Sequence, residues 1–349
     1  MICSKNTLCR EDLPVFDILR ELTELDGVSG DEKAVSDYII SKIEGFCEYK
    51  TDPLGNIIAF KKGRNRSVKK LLVDAHADEV GLIITSVTAD GFLKFSAVGG
   101  IDTSVLMFRR VRIGKINGVI SGKPVHLLSG DEKKKLPKAD SLYIDIGASS
   151  KEEALGLVRP GDRAVITGGY TEMGGRIKAK AIDDRAGCAI LISLIRSESE
   201  YDFYASFTVQ EEVGLRGAKA AAFTVAPDSA IALEATTAAD IAGAAESQKV
   251  CRLGDGPAVS FMDRATVYDR AYYSAALESG IKCQPKAAVA GGNNSGSLHL
   301  SRGGVRTLAI SVPCRYIHSP SCVADREDIE NAAKLAAYMI NGICSGNIK

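Results

Sequence analysis

Glu211 and Glu212 directly follow the strand-like apolar run FYASFTV and its Gln210, so the end of a buried segment delivers two adjacent carboxylates. Charge in such a place is costly unless something pairs with it. Three other apolar runs end in side chains of the same kind. The run 71–75 leads into His76, Asp78 and Glu79, the run 229–233 into Glu234, and the run 305–312 continues through PCRYI to His318. Asp183 and Asp184 stand just before a buried helical pattern. Capping a helix needs one acceptor oxygen, so one of these two acids is left for other work. Two imidazoles and at least three carboxylates at one edge suit zinc or a similar divalent ion. A carboxylate shared by two ions gives the spacing of two-metal hydrolytic sites, roughly 3.5–4 Å, which polarise a carbonyl and acidify bound water. A further carboxylate must then take the proton of that water. Of two adjacent glutamates, one can face a metal while its neighbour faces the water.

The elements that must position these groups are legible from periodicity. Helical spacing runs over 17–25 and 32–46, the second introduced by GVSGDE (27–32), where Ser29 or Asp31 could serve as N-cap. Segments 56–61 and 70–75 read as strands. From 82 to 178 the chain becomes a succession of short β-rich runs broken by glycines, the pattern of a small barrel or sandwich. Its polar loop SGDEKKKLPK (129–138) is expected to be exposed. After 180, strands at 203–209, 229–233 and 305–312 alternate with helices at 185–196, 215–223, 267–280 and 325–343. This predicts an α/β fold, a mixed, mostly parallel sheet sandwiched by helices. The α/β domain is discontinuous, 1–81 and 179–349, with 82–178 inserted. Open α/β sheets bind ligands outside the carboxyl ends of their strands, so all four strand ends would meet at one edge.

Composition narrows the function classes. Of 349 residues, 45% are hydrophobic, and 44 basic side chains balance 44 acidic ones, which argues against a broad grip on nucleic acid or anionic membrane. No apolar run approaches the roughly 18 residues of a membrane span, and residues 1–14 contain no apolar core of a secretory signal. Nine scattered cysteines without a CxxC pair read as reduced thiols of a cytoplasmic protein. Only four histidines are present. His126, beside the charged loop, reads as structural, and His299 as lining the site without binding metal. Arg216 and Arg315 are expected to neutralise the acidic cluster, and Cys188, Cys314 and Cys322 to be buried apolar groups.

Five ordered motifs then carry a resemblance: DAHADEVG (74–81), AIDDRAG (181–187), VQEEVGLRGA (209–218), Ala232-Leu233-Glu234 and VPCRYIHSP (312–320). With LYIDIGASSKEEA (142–154) inside the insert, the whole chain resembles the M42 family of dinuclear metal aminopeptidases. The resemblance implies a zinc-peptidase type α/β domain, with the insert a small β-barrel used for dimerisation. It implies two divalent ions per chain, zinc first, with cobalt or manganese also suited. On these positions His76, Asp183 and Glu234 match ligands of the first ion, and Asp183, Glu212 and His318 those of the second. Asp78 matches the carboxylate that orients His76, and Glu211 the general base. The family most often has aspartate where Glu234 stands, and Gly-Gly-Thr-Asp-Ala where this chain reads GGNNS (291–295), so Asn294 replaces an acid. The implied activity is release of N-terminal residues from short peptides in the cytosol, by a homo-oligomer between a dimer and a tetrahedral dodecamer. The competing readings are a metal-dependent deacylase of small N-acyl metabolites and a catalytically weakened assembly or binding homologue.

Overall fold

In the computed structural model, which describes residues 15–349, the four strands expected to carry the site lie side by side. Phe203–Thr208, Leu71–His76, Ser229–Thr237 and Arg306–Arg315 are parallel neighbours in that order. Antiparallel strands extend this centre on both sides: Ile57–Lys61 and Glu48–Thr51 at one edge, Cys322–Asp325, Arg176–Ala179 and Thr171–Met173 at the other. The N-terminal residues read for a targeting signal, 1–14, lie outside the described residues.

The central strands are buried along nearly their whole length and mostly apolar because both faces are covered. Alternate residues go to opposite sides. Leu71, Val73, Ala75, Ile231, Leu233, Leu308 and Ile310 share one core with side chains of the helices Val15–Glu24, Lys33–Ile43, Ile182–Arg196 and Arg326–Ser345. Leu72, Ala230, Ala232 and Ala309 face the other way, onto Ala218, Ala221 and Ala222 of the helix Arg216–Val225. Small side chains on both partners let that Ala-rich helix lie close to the sheet.

Six antiparallel strands close a separate barrel, in the order Gly81–Val87, Leu93–Val98, Ile144–Asp145, Ile116–Ile120, Arg110–Ile113 and Arg163–Ile166. Its own core is formed by Leu82, Ile84, Leu93, Val111, Ile144 and neighbours. The β-rich stretch 82–178 therefore divides. The barrel ends at Ile166, while Thr171–Met173 and Arg176–Ala179 join the large sheet through Cys322–Asp325. Short strands between glycines carry no mark of the sheet they will enter; here Ile177 and Ala179 are drawn into the larger core. The loop 129–138 is largely exposed, as expected.

The second helix departs from its expected cap. Neither Ser29 nor Asp31 holds the N-cap position of Lys33–Ile43; Glu32 stands there and makes no side-chain capping bond. Both Ser29 and Glu32 bond elsewhere. Among the described residues the cysteines are free, and no helix is long and apolar enough to cross a membrane.

Candidate metal centre

The parallel strand ends place the predicted groups around one carboxylate. Asp183 directs Oδ1 at His76 Nε2, 3.2 Å away, and Oδ2 at His318 Nε2, 3.3 Å away. Glu234 Oε2 lies 3.8 Å from His76 Nε2, and Glu212 Oε1 lies 3.4 Å from His318 Nε2. The oxygens of Asp183 are thus divided between two imidazoles, each with one further carboxylate beside it. His318 Nδ1 lies 2.8 Å from Gly100 O, a contact that requires its proton there, so that Nε2 carries the lone pair once the imidazole is neutral. His76 Nδ1 lies 3.3 Å from Asp78 Oδ1 and finds no aligned hydrogen-bond partner.

Asp183 and Asp184 separate into the two roles open to them. Asp184 accepts from Gly187 N at 2.9 Å and from His76 N at 3.3 Å, so its oxygens serve one main-chain amide at the start of the helix and one at the end of the strand Leu71–His76. Donor atoms of His76, Asp183 and Glu212 lie within 4.8 Å of one another, as do those of His76, Asp184 and Glu234. Asp184 enters the second group by proximity, but its amide bonds make Asp183 the freer ligand.

So many acids in one buried place cannot all be charged without a cation. Burial, then the charges of Asp183 and Asp78, push Glu211 up to about 7, and burial with Asp183 pushes Glu212 up to about 8. Burial also raises Glu234 well above the carboxylate range. Burial opposes the imidazolium of His318, yet Asp183 and Glu212 overcome it and raise the group to about 9. Burial likewise opposes Asp183 ionisation, but the two histidines hold its carboxyl below the usual range. The protein alone balances this charge with protons, which a divalent ion would displace. A donor set of imidazole nitrogens and carboxylate oxygens around a divided carboxylate fits a pair of such ions.

Comparison with known proteins decides the affiliation. Residues 55–335 match the family model described as M42 glutamyl aminopeptidase. The chain belongs to the M42 aminopeptidase family. A relative from Acetivibrio thermocellus is 40% identical over 341 residues, covering 96% of this chain and 100% of the other. The lysyl aminopeptidase of Pyrococcus furiosus is 31% identical over 340 residues, covering 93% and 96%. The solved TET1 peptidase of Pyrococcus horikoshii, which assembles into a tetrahedron or a large octahedral shell, superposes with a TM-score of 0.81 at 34% identity, covering 93% of this chain and 98% of that one. As an M42 member the chain is an aminopeptidase, a hydrolase of peptide bonds. The family has a dinuclear metal site, and this chain has groups placed to hold metal ions.

Within this M42 chain the two unusual residues touch one another. The main-chain N of Asn294 donates to Glu234 Oε1 at 3.1 Å, and its side-chain Nδ2 donates to Asp74 Oδ2 at 2.7 Å and Thr208 Oγ1 at 2.8 Å. The longer Glu234 is thereby held with its other oxygen toward His76. Several residues go elsewhere than sequence reasoning expected. Arg315 pairs with Asp240 at 2.7 Å and Arg216 is exposed, so neither neutralises the cluster. The buried cations nearby are Lys180, 2.6 Å from Glu79, and Arg185, 3.5 Å from it. Arg185 opens the helical pattern read as buried, and its pairing with Glu79, 106 positions away, is not visible in the sequence. His299 bonds Ser295 O at 2.7 Å, His126 is exposed, and Cys188 donates to His76 O at 3.1 Å.

Proposed function

We propose that the chain is a dinuclear aminopeptidase that removes N-terminal residues from short peptides. The observation that carries this reading is the division of the Asp183 oxygens between His76 and His318. One ion would be held by His76, Asp183 and Glu234, the other by Asp183, Glu212 and His318. Ions bound there would polarise the scissile carbonyl, acidify a water and leave room for the free amine of the substrate. Glu211 takes the proton of the attacking water and returns it to the leaving amine. Asp78 supports this in two ways. It lies against His76, and its oxygens accept from the amides of Glu211 at 2.9 Å and Glu212 at 3.1 Å, so one carboxylate orients a ligand and the base together.

Zinc is the first choice of ion, with cobalt and manganese suited to the same donors. The assembly is a homo-oligomer, a dimer built through the barrel and then a tetrahedral dodecamer, by likeness to the shell-forming relative. Cytoplasmic residence fits the free cysteines. The test is turnover of a panel of aminoacyl-p-nitroanilides after chelation and after adding back each ion. Release should vanish with chelation, return with an ion, and be confined to some residues of the panel. Equal release before and after chelation would contradict the metal mechanism, and silence on the panel together with N-acyl hydrolysis would contradict the aminopeptidase reading.

A further inference from the structure

The loop that fails to cap the second helix makes other contacts instead. A single oxygen of Glu32, Oε1, accepts from Gly30 N at 2.6 Å and from Gln210 N at 3.2 Å. Ser29 Oγ donates to Asp78 Oδ2 at 2.6 Å, and Asp78 in turn holds the amides of Glu211 and Glu212. Three consecutive amides, those of residues 210, 211 and 212, are therefore gripped by two carboxylates from separate parts of the chain. Gln210 has φ 58°, a left-handed conformation that a non-glycine residue keeps only where its surroundings fix it. Glu32 is buried, and without its oxygen the Gln210 amide would lose that acceptor.

The same loop is anchored from the other side. Val28 packs with Val98 and Val165 of the barrel region and with the partly buried Val213, next to Glu212. Arg163, on a barrel strand, donates from Nε to Ser29 O at 3.3 Å. Residues 28–32 thus lie between the barrel and the turn that carries both glutamates.

We propose that Glu32, assisted by Ser29, is a positioning residue that fixes the 210–212 turn and so sets where the Glu211 carboxylate stands. The inference rests on the reading of Glu211 as the base. Glu32 touches neither substrate nor ions; it acts through the main chain of Gln210. A misplacement of about 1 Å at a reacting group costs on the order of a hundredfold in rate, so a small shift of this turn is enough to be measured.

The experiment compares Glu32→Gln, Glu32→Asp and Glu32→Ala in the full, ion-loaded protein, reading kcat, KM and ions per chain. Glutamine keeps the length and an oxygen able to accept both amides, and should stay within about threefold of the parent in kcat. Aspartate keeps the charge but withdraws the oxygen by one methylene, and should lose about tenfold to a hundredfold in kcat with KM and ion content unchanged. Alanine should lose at least as much; should it fail to fold, the other two variants still decide. An aspartate variant with parental kcat, an active aspartate beside an inactive glutamine, or a loss that tracks lost ions would each overturn the proposal. Glu211→Gln, run alongside, separates the two claims. If it remains active the base assignment fails, whereas if it is inactive while Glu32→Asp is normal, only the positioning role fails.

Discussion

Asp183 is free for the proposed role of divided ligand because its neighbour bonds main-chain amides instead. Asp184 spends its oxygens on the amides of Gly187 and His76, which frees Asp183 to face both imidazoles. Asn294 is the residue where a single atom exchange says most. Its amide donates to Asp74, which is wholly buried and which burial pushes up to about 6 despite bonds from Ser206 and Asn294. Asn294→Asp would set a second carboxylate where that donor stands. The variant should lose about 2–4 kcal/mol of unfolding free energy in urea at neutral pH. The loss should shrink at low pH. A buried acid with a folded-state pKa raised above its unfolded value adds stability below the unfolded value, and that contribution is lost as pH rises through the folded one. For Asp74 this window runs from the ordinary 3.8 to about 6. An unchanged urea midpoint at pH 7 would contradict the role given to this amide.

The turn that carries Glu211 and Glu212 depends on how one strand hands over to one helix. Asn56 Oδ1 accepts from Val209 N at 3.0 Å and its Nδ2 donates to Gly217 O at 3.1 Å, which ties the end of Phe203–Thr208 to the start of Arg216–Val225. A Cβ on Gly217 would stand 2.3 Å from Asn56 Oδ1 and 2.4 Å from Val209 O. Gly217→Ala should therefore destabilise the fold by about 1–3 kcal/mol and lower kcat with it. Wild-type thermal stability and turnover would show that this junction is not tight.

Much of this was legible in the sequence because it lay in local pattern. Largely apolar runs leading into His76, Glu211–Glu212, Glu234 and His318 announce buried parallel strands with a common edge, and the structure brings those ends together. What was not legible depends on distant segments meeting. Glu32 and Gln210 are separated by 178 positions, so a GVSGDE loop read alone looks like a helix cap. Arg315 lies beside the HSP motif in sequence, yet its side chain turns to Asp240. The strands Thr171–Met173 and Arg176–Ala179 read like the barrel strands before them because glycine-bounded strands do not encode which sheet they join.

At the scale of the whole molecule, the barrel carries apolar side chains that the monomer leaves in water: Phe108 is 68% exposed, Val125 71% and Leu127 58%. Large apolar side chains left exposed in this way suit an interaction surface, as the proposed dimer through this domain requires. Light scattering should give the mass of a dodecamer, and Val125→Asp with Leu127→Asp should yield smaller species with an unchanged circular dichroism spectrum. A parent that is monomeric at micromolar concentration would contradict the assembly, and an unchanged mass in the double variant would remove the patch from it.

The proposed mechanism depends on Glu211 acting as base beside ions it does not hold. The most direct measurement is kcat on a good aminoacyl-p-nitroanilide for ion-loaded Glu211→Gln, with ions per chain counted in the same sample. The prediction is an ion content equal to the parent and a kcat lower by about 10²–10⁴. Turnover near that of the parent, or loss of turnover only in step with loss of ions, would contradict it.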